Sequence, residues 1–145
     1  MRVVVAEDNT LIAMLIEDVL IDQGHEVVGS VTTARAALSL IEQQPPDLLI
    51  ADITLDDGES GCDLVMEAQK RCGTPALFVS GSPDKAQRCD TAIGVLVKPF
   101  PVEALEAAIQ VAEEIVNGKQ PVQVPSELRL FPEFTLTASR QTLPD

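Results

Sequence analysis

The chain has 145 residues, a length that fits one domain able to bury its own core. Hydrophobic residues make up 46% of it, but Trp and Tyr are absent, so the core is predicted to be aliphatic. The formal net charge of −13 argues against nucleic-acid binding, because phosphate contacts need clustered Lys and Arg. No apolar run approaches the roughly 18 to 20 residues of a membrane span, and no signal-peptide pattern is present, so we expect a cytoplasmic protein without membrane contact.

Three cysteines, Cys62, Cys72 and Cys89, form neither an even set nor a metal-ligand spacing. We expect all three to be reduced thiols, as is usual in the cytosol. A disulfide is therefore not predicted.

Apolar runs and helical segments alternate along the first part of the chain. The predicted strands are 2–6, 26–30, 47–51, 75–79 and 94–97. The first predicted helix runs from Asn9 or Thr10 to about Asp22, with Leu11 on its apolar face. The second begins at Thr32 or Thr33 and stops at Pro45, and the third runs through Leu64 to about Cys72. A short or mobile helix is predicted within 82–92, and the last helix runs from Pro101 to Asn117. This alternation predicts an α/β fold with a doubly wound five-stranded parallel sheet and right-handed crossovers.

Side chains that can bind ligands or react follow the predicted strands. Doubly wound sheets bind their ligands at this edge, outside the carboxyl ends of the strands. The side chains are three carboxylates, a hydroxyl and an amine: Glu7, Asp8, Asp52, Ser80 and Lys98. Crowded carboxylates repel, so they take up protons or recruit a cation, and oxygen ligands of this kind suit Mg²⁺. The Asp52 carboxylate could then act as a nucleophile toward a phosphoryl donor, with Lys98 and Ser80 contacting phosphoryl oxygens.

Each of these residues also has an ordinary structural interpretation when it is taken alone. Acids after a strand often favour a helix N-terminus, Ser-Gly is a turn signal, and Lys-Pro is often a surface lysine before a helix. The arrangement of all of them at successive strand ends is what indicates a site. Gly81 is expected to leave access to it.

Four segments resemble, in order, the signatures of the response-regulator receiver family: Val4–Asn9, Leu49–Asp52, Phe78–Gly81 and Val97–Phe100. The resemblance covers residues 1 to about 117. The resemblance implies a flavodoxin-like receiver fold. It also implies that the protein signals through a phosphorylated aspartate.

The resemblance also implies a role for each matching residue. Asp52 would be the phosphoacceptor, and Glu7, Asp8 and Asp52 would ligate Mg²⁺ together with the main-chain carbonyl of Thr54. Ser80 and Lys98 would bind the phosphoryl group and report its presence. The bond between Lys98 and Pro99 would be cis.

The sequence departs from the common receiver pattern in three places. The loop at 53–61 lacks the usual Met-Pro and is about one residue longer. Val95 stands where many members have a switch Tyr or Phe, and Ser80 and Val95 are separated by about one helical turn less than usual. These features resemble an alpha-proteobacterial subgroup with a Phe-Ala-Thr-Gly-like fourth strand. We therefore expect the signal to leave through the loop after Ser80 and the segment 81–94.

The domain prediction is a receiver over residues 1–118 and a Pro-rich tail over 119–145 without an effector domain. The tail is more apolar than a typical solvated linker. It is either a floppy end or a segment that docks on its own domain or on a partner.

The expected function is that of a phosphoryl-accepting receiver, not an enzyme beyond self-catalysed phosphotransfer and autodephosphorylation. The expected donor is a sensor histidine kinase or a histidine phosphotransferase, and the output is protein contact or a phosphate sink, from a monomer or weak dimer. A flavodoxin-like cofactor binder is disfavoured because its first loop needs hydroxyls and glycines where this chain has Glu7 and Asp8. A hydrolase of the haloacid-dehalogenase kind is disfavoured because Thr54 replaces its second Asp.

Overall fold

The computed structural model describes residues 1–56, 58–89 and 91–134. Its elements are β1 (Arg2–Ala6), α1 (Thr10–Asp22), β2 (Glu26–Val31), α2 (Ala34–Gln43), β3 (Leu48–Ala51), α3 (Gly61–Cys72), β4 (Ala76–Ser80), α4 (Pro83–Ala86), β5 (Gly94–Val97), α5 (Val102–Val116) and β6 (Leu128–Leu130). The predicted alternation of five strands and five helices is confirmed, and α4 is as short as predicted. Within these described ranges no helix has the length and apolarity needed to cross a membrane.

The strands form one sheet in the order β2-β1-β3-β4-β5-β6. The first five strands are parallel, as predicted, and β6 runs antiparallel to β5. The α/β doubly wound fold class is confirmed. The sixth strand was not predicted, because a strand of three residues carries too little periodic pattern to be recognised.

Two layers of core lie on the two faces of the sheet, because successive strand side chains point to opposite faces. The face covered by α2 and α3 holds Val4, Ala6, Leu49, Ala51, Phe78 and Val95. The face covered by α1 and α5 holds Val3, Val5, Leu48, Ile50, Leu77, Val79 and Leu96. With strands buried on both sides, the polar residues that follow them are held at one edge of a rigid platform.

Helix α1 begins where its cap was predicted, but one residue of its apolar face was wrongly placed. The Asn9 side chain accepts a hydrogen bond of 3.2 Å from the backbone N–H of Ile12. Leu11, predicted to be buried, is 78% exposed. It lies five positions before the buried Ile16, which is a rotation of about 500° and leaves the two side chains roughly 140° apart around the helix.

The described part of the tail lies against the receiver. The N–H of Val97 donates to the carbonyl of Glu127 at 3.1 Å, and the N–H of Phe131 donates to the carbonyl of Ile93 at 3.0 Å. Phe131 is 2% exposed and packs in the same core layer as Val95. Of the two interpretations of the tail, docking on its own domain describes residues 128–134, while 135–145 lie outside the described residues.

The expectation of three reduced thiols is wrong for two of the cysteines in this structure. Cys62, near the start of α3, and Cys89, which follows α4, form a disulfide with a Cα–Cα distance of 5.6 Å, and Cys72 is free. The partners are 27 positions apart in the sequence. Their proximity arises only when α3 and the α4 region pack side by side, so the spacing of the cysteines could not reveal it.

Candidate metal and phosphoryl site

The site is built by the ends of two neighbouring strands. The N–H of Asp52 donates to the carbonyl of Ala6 at 3.0 Å, which continues the parallel pairing of β3 with β1 by one residue. The N–H of Glu7 donates to the carbonyl of Val31 at the end of β2. The backbone of each acid is therefore fixed in position by hydrogen bonds that do not involve its side chain.

Three carboxylates converge at this edge of the sheet. One oxygen from each of Glu7, Asp8 and Asp52 lies within 4.8 Å of the others. Lys98, which follows β5, donates from its Nζ to Glu7 Oε1 at 2.7 Å and to Asp52 Oδ2 at 3.0 Å. The structure thus brings four of the predicted site residues into one cluster with a single lysine shared between two acids.

Burial sets the protonation behaviour of the cluster. Burial raises the pKa of Glu7 from 4.5 to about 7, and the charge of Asp52 acts in the same direction, against the opposing hydrogen bonds from Lys98 and Asn9. For Lys98, burial alone lowers the pKa, but the hydrogen bonds and charges of Glu7 and Asp52 together raise it above its usual value. Glu7 is only 2% exposed, so a proton or a cation on this carboxylate relieves a real desolvation cost.

Asp52 has partners on both carboxylate oxygens. Its Oδ1 accepts from the N–H of Ile53 at 2.7 Å, while Oδ2 accepts from Lys98. The side chain is 14% exposed, so it remains reachable from solvent. These contacts fix the direction in which the carboxylate points.

Ser80 ends β4 beside the cluster and is almost completely buried. Its Oγ accepts from the N–H of Ser82 at 3.0 Å, and its carbonyl accepts from the N–H of Lys98 at 2.9 Å. A backbone hydrogen bond therefore connects Ser80 to Lys98, while the Ser80 hydroxyl oxygen stabilises the loop that follows it. Gly81 and Pro99 are exposed next to them, and the Lys98–Pro99 bond is cis, as predicted.

Thr54 lies in the loop after Asp52 and is exposed. It forms an isolated antiparallel bridge with Ser60, the residue that caps α3 by accepting from the N–H of Cys62 at 3.1 Å. The structure thus places Thr54 on the loop next to the acids, and the role of its carbonyl stays a prediction.

Gly61 shapes the site and was missed from the sequence. Its N–H donates to the carbonyl of Ile53 at 2.6 Å, and a Cβ at this position would run into the carbonyl of Asp52. Gly61 therefore allows α3 to start directly against the backbone of Asp52. A Ser-Gly pair before a helical pattern was the available signal, because Ser is a common helix cap.

The donor set fits Mg²⁺. All the candidate side-chain ligands are hard carboxylate oxygens, few in number, which would suit an ion that keeps several waters. Burial raises the pKa of Glu7 despite the hydrogen bond from Lys98, so a bound cation would offset the cost of keeping this buried carboxylate charged.

The response regulator receiver domain family matches residues 3–110 of this chain. The chain belongs to this family. The phyllosphere-induced regulator PhyR of Methylorubrum extorquens is 33% identical over 115 residues, which is 77% of this chain and 43% of that protein.

Two solved structures give the same picture of the receiver. The response regulator PhyR from Brucella abortus is 35% identical to this chain, with a TM-score of 0.71. The match covers 81% of this chain and 49% of the Brucella chain. The anti-anti-sigma factor PhyR from Bartonella quintana is 31% identical with a TM-score of 0.67, covering 81% and 49%. The expected likeness to alpha-proteobacterial receivers is confirmed, and the receiver spans about half the length of these relatives.

Proposed function

We propose that Asp52 accepts a phosphoryl group from a phosphohistidine on a sensor histidine kinase or a histidine phosphotransferase, and that the transfer depends on Mg²⁺. The observation that carries this proposal is the shared lysine: Lys98 Nζ lies between the carboxylates of Glu7 and Asp52. A carboxylate able to act as a nucleophile, a second acid able to bind a cation and an amine able to bind phosphate therefore lie together at one strand edge, which supports the proposal.

The chemical step is displacement at phosphorus. An oxygen of the Asp52 carboxylate attacks, a P–O bond forms, the P–N bond to the donor imidazole breaks, and its electron pair stays on the imidazole. Lys98 then moves from the Asp52 oxygen to a phosphoryl oxygen, where it meets more negative charge. Ser80 donates its hydroxyl hydrogen to a second phosphoryl oxygen.

The residues that would hold the metal are Glu7, Asp8 and Asp52 through their carboxylates and Thr54 through its carbonyl. When bound, Mg²⁺ supplies positive charge that offsets the repulsion between these acids and the incoming phosphoryl oxygens. The partner must present its histidine to Asp52 from outside the strand ends, on the side that Gly81 leaves open.

For the output we propose a protein contact that is controlled through the loop after Ser80, or a phosphate-sink role if that loop does not respond. Val95 is completely buried between β4 and β6 and has neither a hydroxyl nor a ring that could swing to the surface. The regular secondary structure of the segment 82–89 is a helix of only four residues. We place the protein in the cytoplasm as a monomer or weak dimer, with a regulatory protein as its downstream target.

Intact-mass measurement after acetyl phosphate treatment with Mg²⁺ tests the phosphoacceptor. Wild type should gain one phosphoryl group, and Asp52→Asn should gain none while keeping its circular dichroism spectrum. Asp56→Asn is the matched control, since Asp56 is an exposed acid of the same loop outside the cluster. A full phosphoryl adduct on Asp52→Asn would refute the assignment.

Hydrogen exchange with and without a phosphoryl mimic separates active output from sink behaviour. Active output requires altered protection in 81–89 and 91–94. Changes confined to the loop after Asp52 would mean that the segment after Ser80 does not carry the output.

A further inference from the structure

The disulfide between Cys62 and Cys89 joins two regions that the proposed function couples. Cys62 is half-buried and Cys89 is 3% exposed, and their Cα–Cα distance of 5.6 Å lies in the normal range for a bond. Cys62 belongs to α3, the helix after the phosphoacceptor loop, and Cys89 belongs to the segment between β4 and β5.

On the α3 side the cysteine is anchored to the phosphoacceptor loop. The N–H of Cys62 donates to Ser60 Oγ, and the neighbouring Gly61 donates to the carbonyl of Ile53 at 2.6 Å. Ile53 in turn donates its N–H to Asp52. The peptide bond from Cys62 to Gly61 and two hydrogen bonds, Gly61 to Ile53 and Ile53 to Asp52, therefore connect the cysteine with the Asp52 carboxylate.

On the other side the cysteine sits in the segment that follows Ser80. The N–H of Cys89 donates to the carbonyl of Ala86 at 2.9 Å, and its side chain lies in the core layer with Ala92 and Phe131. Cys62 Sγ lies 3.8 Å from the carbonyl oxygen of Lys85 in the same segment. A covalent bond here removes the freedom of the segment to move away from α3.

We propose that Cys62 and Cys89 form a reversible redox pair that a peroxide oxidises, and that the bond locks the segment 82–89 against α3. A reducing cytoplasm keeps such thiols reduced, so the bond forms there only when an oxidant is present. The locking of phosphorylation output rests on the proposed function, whereas the existence of the redox pair does not.

The oxidation balances with one peroxide molecule. Cys62 is the more exposed partner, and its thiol gives up its proton before the thiolate attacks a peroxide oxygen. An S–O bond forms, the O–O bond breaks, and the departing hydroxide takes up that proton to leave as water, so that a sulfenic acid remains. The Cys89 thiol attacks the sulfenic sulfur, the S–S bond forms, the S–O bond breaks, and the hydroxide leaves with the Cys89 proton as a second water. The two sulfurs lose two electrons and two protons, which reduce the peroxide to water.

The three cysteines fall on three different tryptic peptides, which makes the bond directly readable. Cys62 is in 36–70, Cys72 is in 72–85, and Cys89 is in 89–119, since trypsin does not cut between Lys98 and Pro99. Cys72 is the internal control, because ten residues of helix place it about 15 Å along α3 from Cys62.

The experiment treats the reduced full chain with hydrogen peroxide and maps the peptides without reductant. The expected product has lost two hydrogens and links 36–70 to 89–119, in wild type and in Cys72→Ser, and dithiothreitol reverses it. Cys62→Ser and Cys89→Ser should both lose the link. Because Cys89 is buried and a serine there puts a hydroxyl into the core, the result for Cys62→Ser decides if the two variants differ.

Hydrogen exchange then measures the locking. In the oxidised chain, amides of 82–89 should exchange about tenfold more slowly than in the reduced chain, and Cys62→Ser should show no change with peroxide. Links to 72–85, oxidation to sulfinic acid without a link, a bond that native reduction leaves intact, or unchanged exchange in 82–89 would each overturn the proposal. None of these measurements uses phosphorylation, so a failed acetyl phosphate reaction would count against Asp52 alone.

Discussion

Magnesium binding to this receiver should weaken as the pH falls below about 7. Burial raises the pKa of Glu7 to about 7, so at lower pH its carboxyl carries a proton that must leave before it can ligate the ion. One proton released near pH 7 makes the apparent affinity at pH 6 roughly tenfold lower than at pH 8.

The same pKa shift sets the pH dependence of folding without metal. An acid whose pKa is raised on folding contributes its stability fully below pH 4.5 and loses it as the pH rises through about 7. The difference between those two pKa values corresponds to at most about 3 kcal/mol in the free energy of unfolding. Glu7→Gln, which stays neutral, should abolish this contribution and be more stable than wild type at pH 8 without Mg²⁺.

Isothermal titration of Mg²⁺ at pH 6 and pH 8 measures the first effect, and urea unfolding followed by far-ultraviolet circular dichroism measures the second. Circular dichroism is the suitable probe because the chain has no Trp or Tyr. Asp56→Asn controls for removal of a carboxylate outside the cluster. Equal affinities at the two pH values, or the same pH slope of stability in wild type and Glu7→Gln, would refute the reasoning.

Three further predictions follow from the contacts. Asp8→Ala, which removes one crowded carboxylate, should raise the Tm without metal by about 2–4 °C and abolish the Mg²⁺-dependent Tm shift; a preserved shift in a thermal melt would count against the three-acid site. Gly94→Ala should detach β6, since a Cβ there meets the carbonyl of Arg129, and hydrogen exchange in β6 should rise to coil rates while Gly81→Ala leaves it unchanged. Gly61→Ala should slow acetyl phosphate labelling at least tenfold by pushing on the backbone of Asp52, and normal labelling kinetics would contradict this role.

The parts of the fold and site that were predicted depend on short stretches of sequence. Each parallel strand is buried on both faces, so its apolar run marks it directly, and the residue after the run identifies the strand end. Glu7, Asp8, Asp52 and Lys98 could therefore be placed at one edge, and the structure brings them together.

The parts that were missed depend on contacts between distant segments. β6 is recognisable only through its pairing with β5, and the Cys62–Cys89 bond only through the packing of α3 beside the α4 region. The helix α1 itself was predicted correctly. Leu11 was wrongly assigned to its buried face because the predicted apolar face included too many positions around the helix.

The sixth strand also bears on how this receiver meets other copies of itself. A bare strand edge is a template on which another chain can add a strand, and β5 would be such a template if it ended the sheet. Here the row of hydrogen-bonding groups on β5 is already occupied, and the new outer edge, β6, is three residues long with an exposed Arg129 at its centre. A short edge that carries a charge is a poor seed for strand addition, so on this side the tail protects the sheet against aggregation.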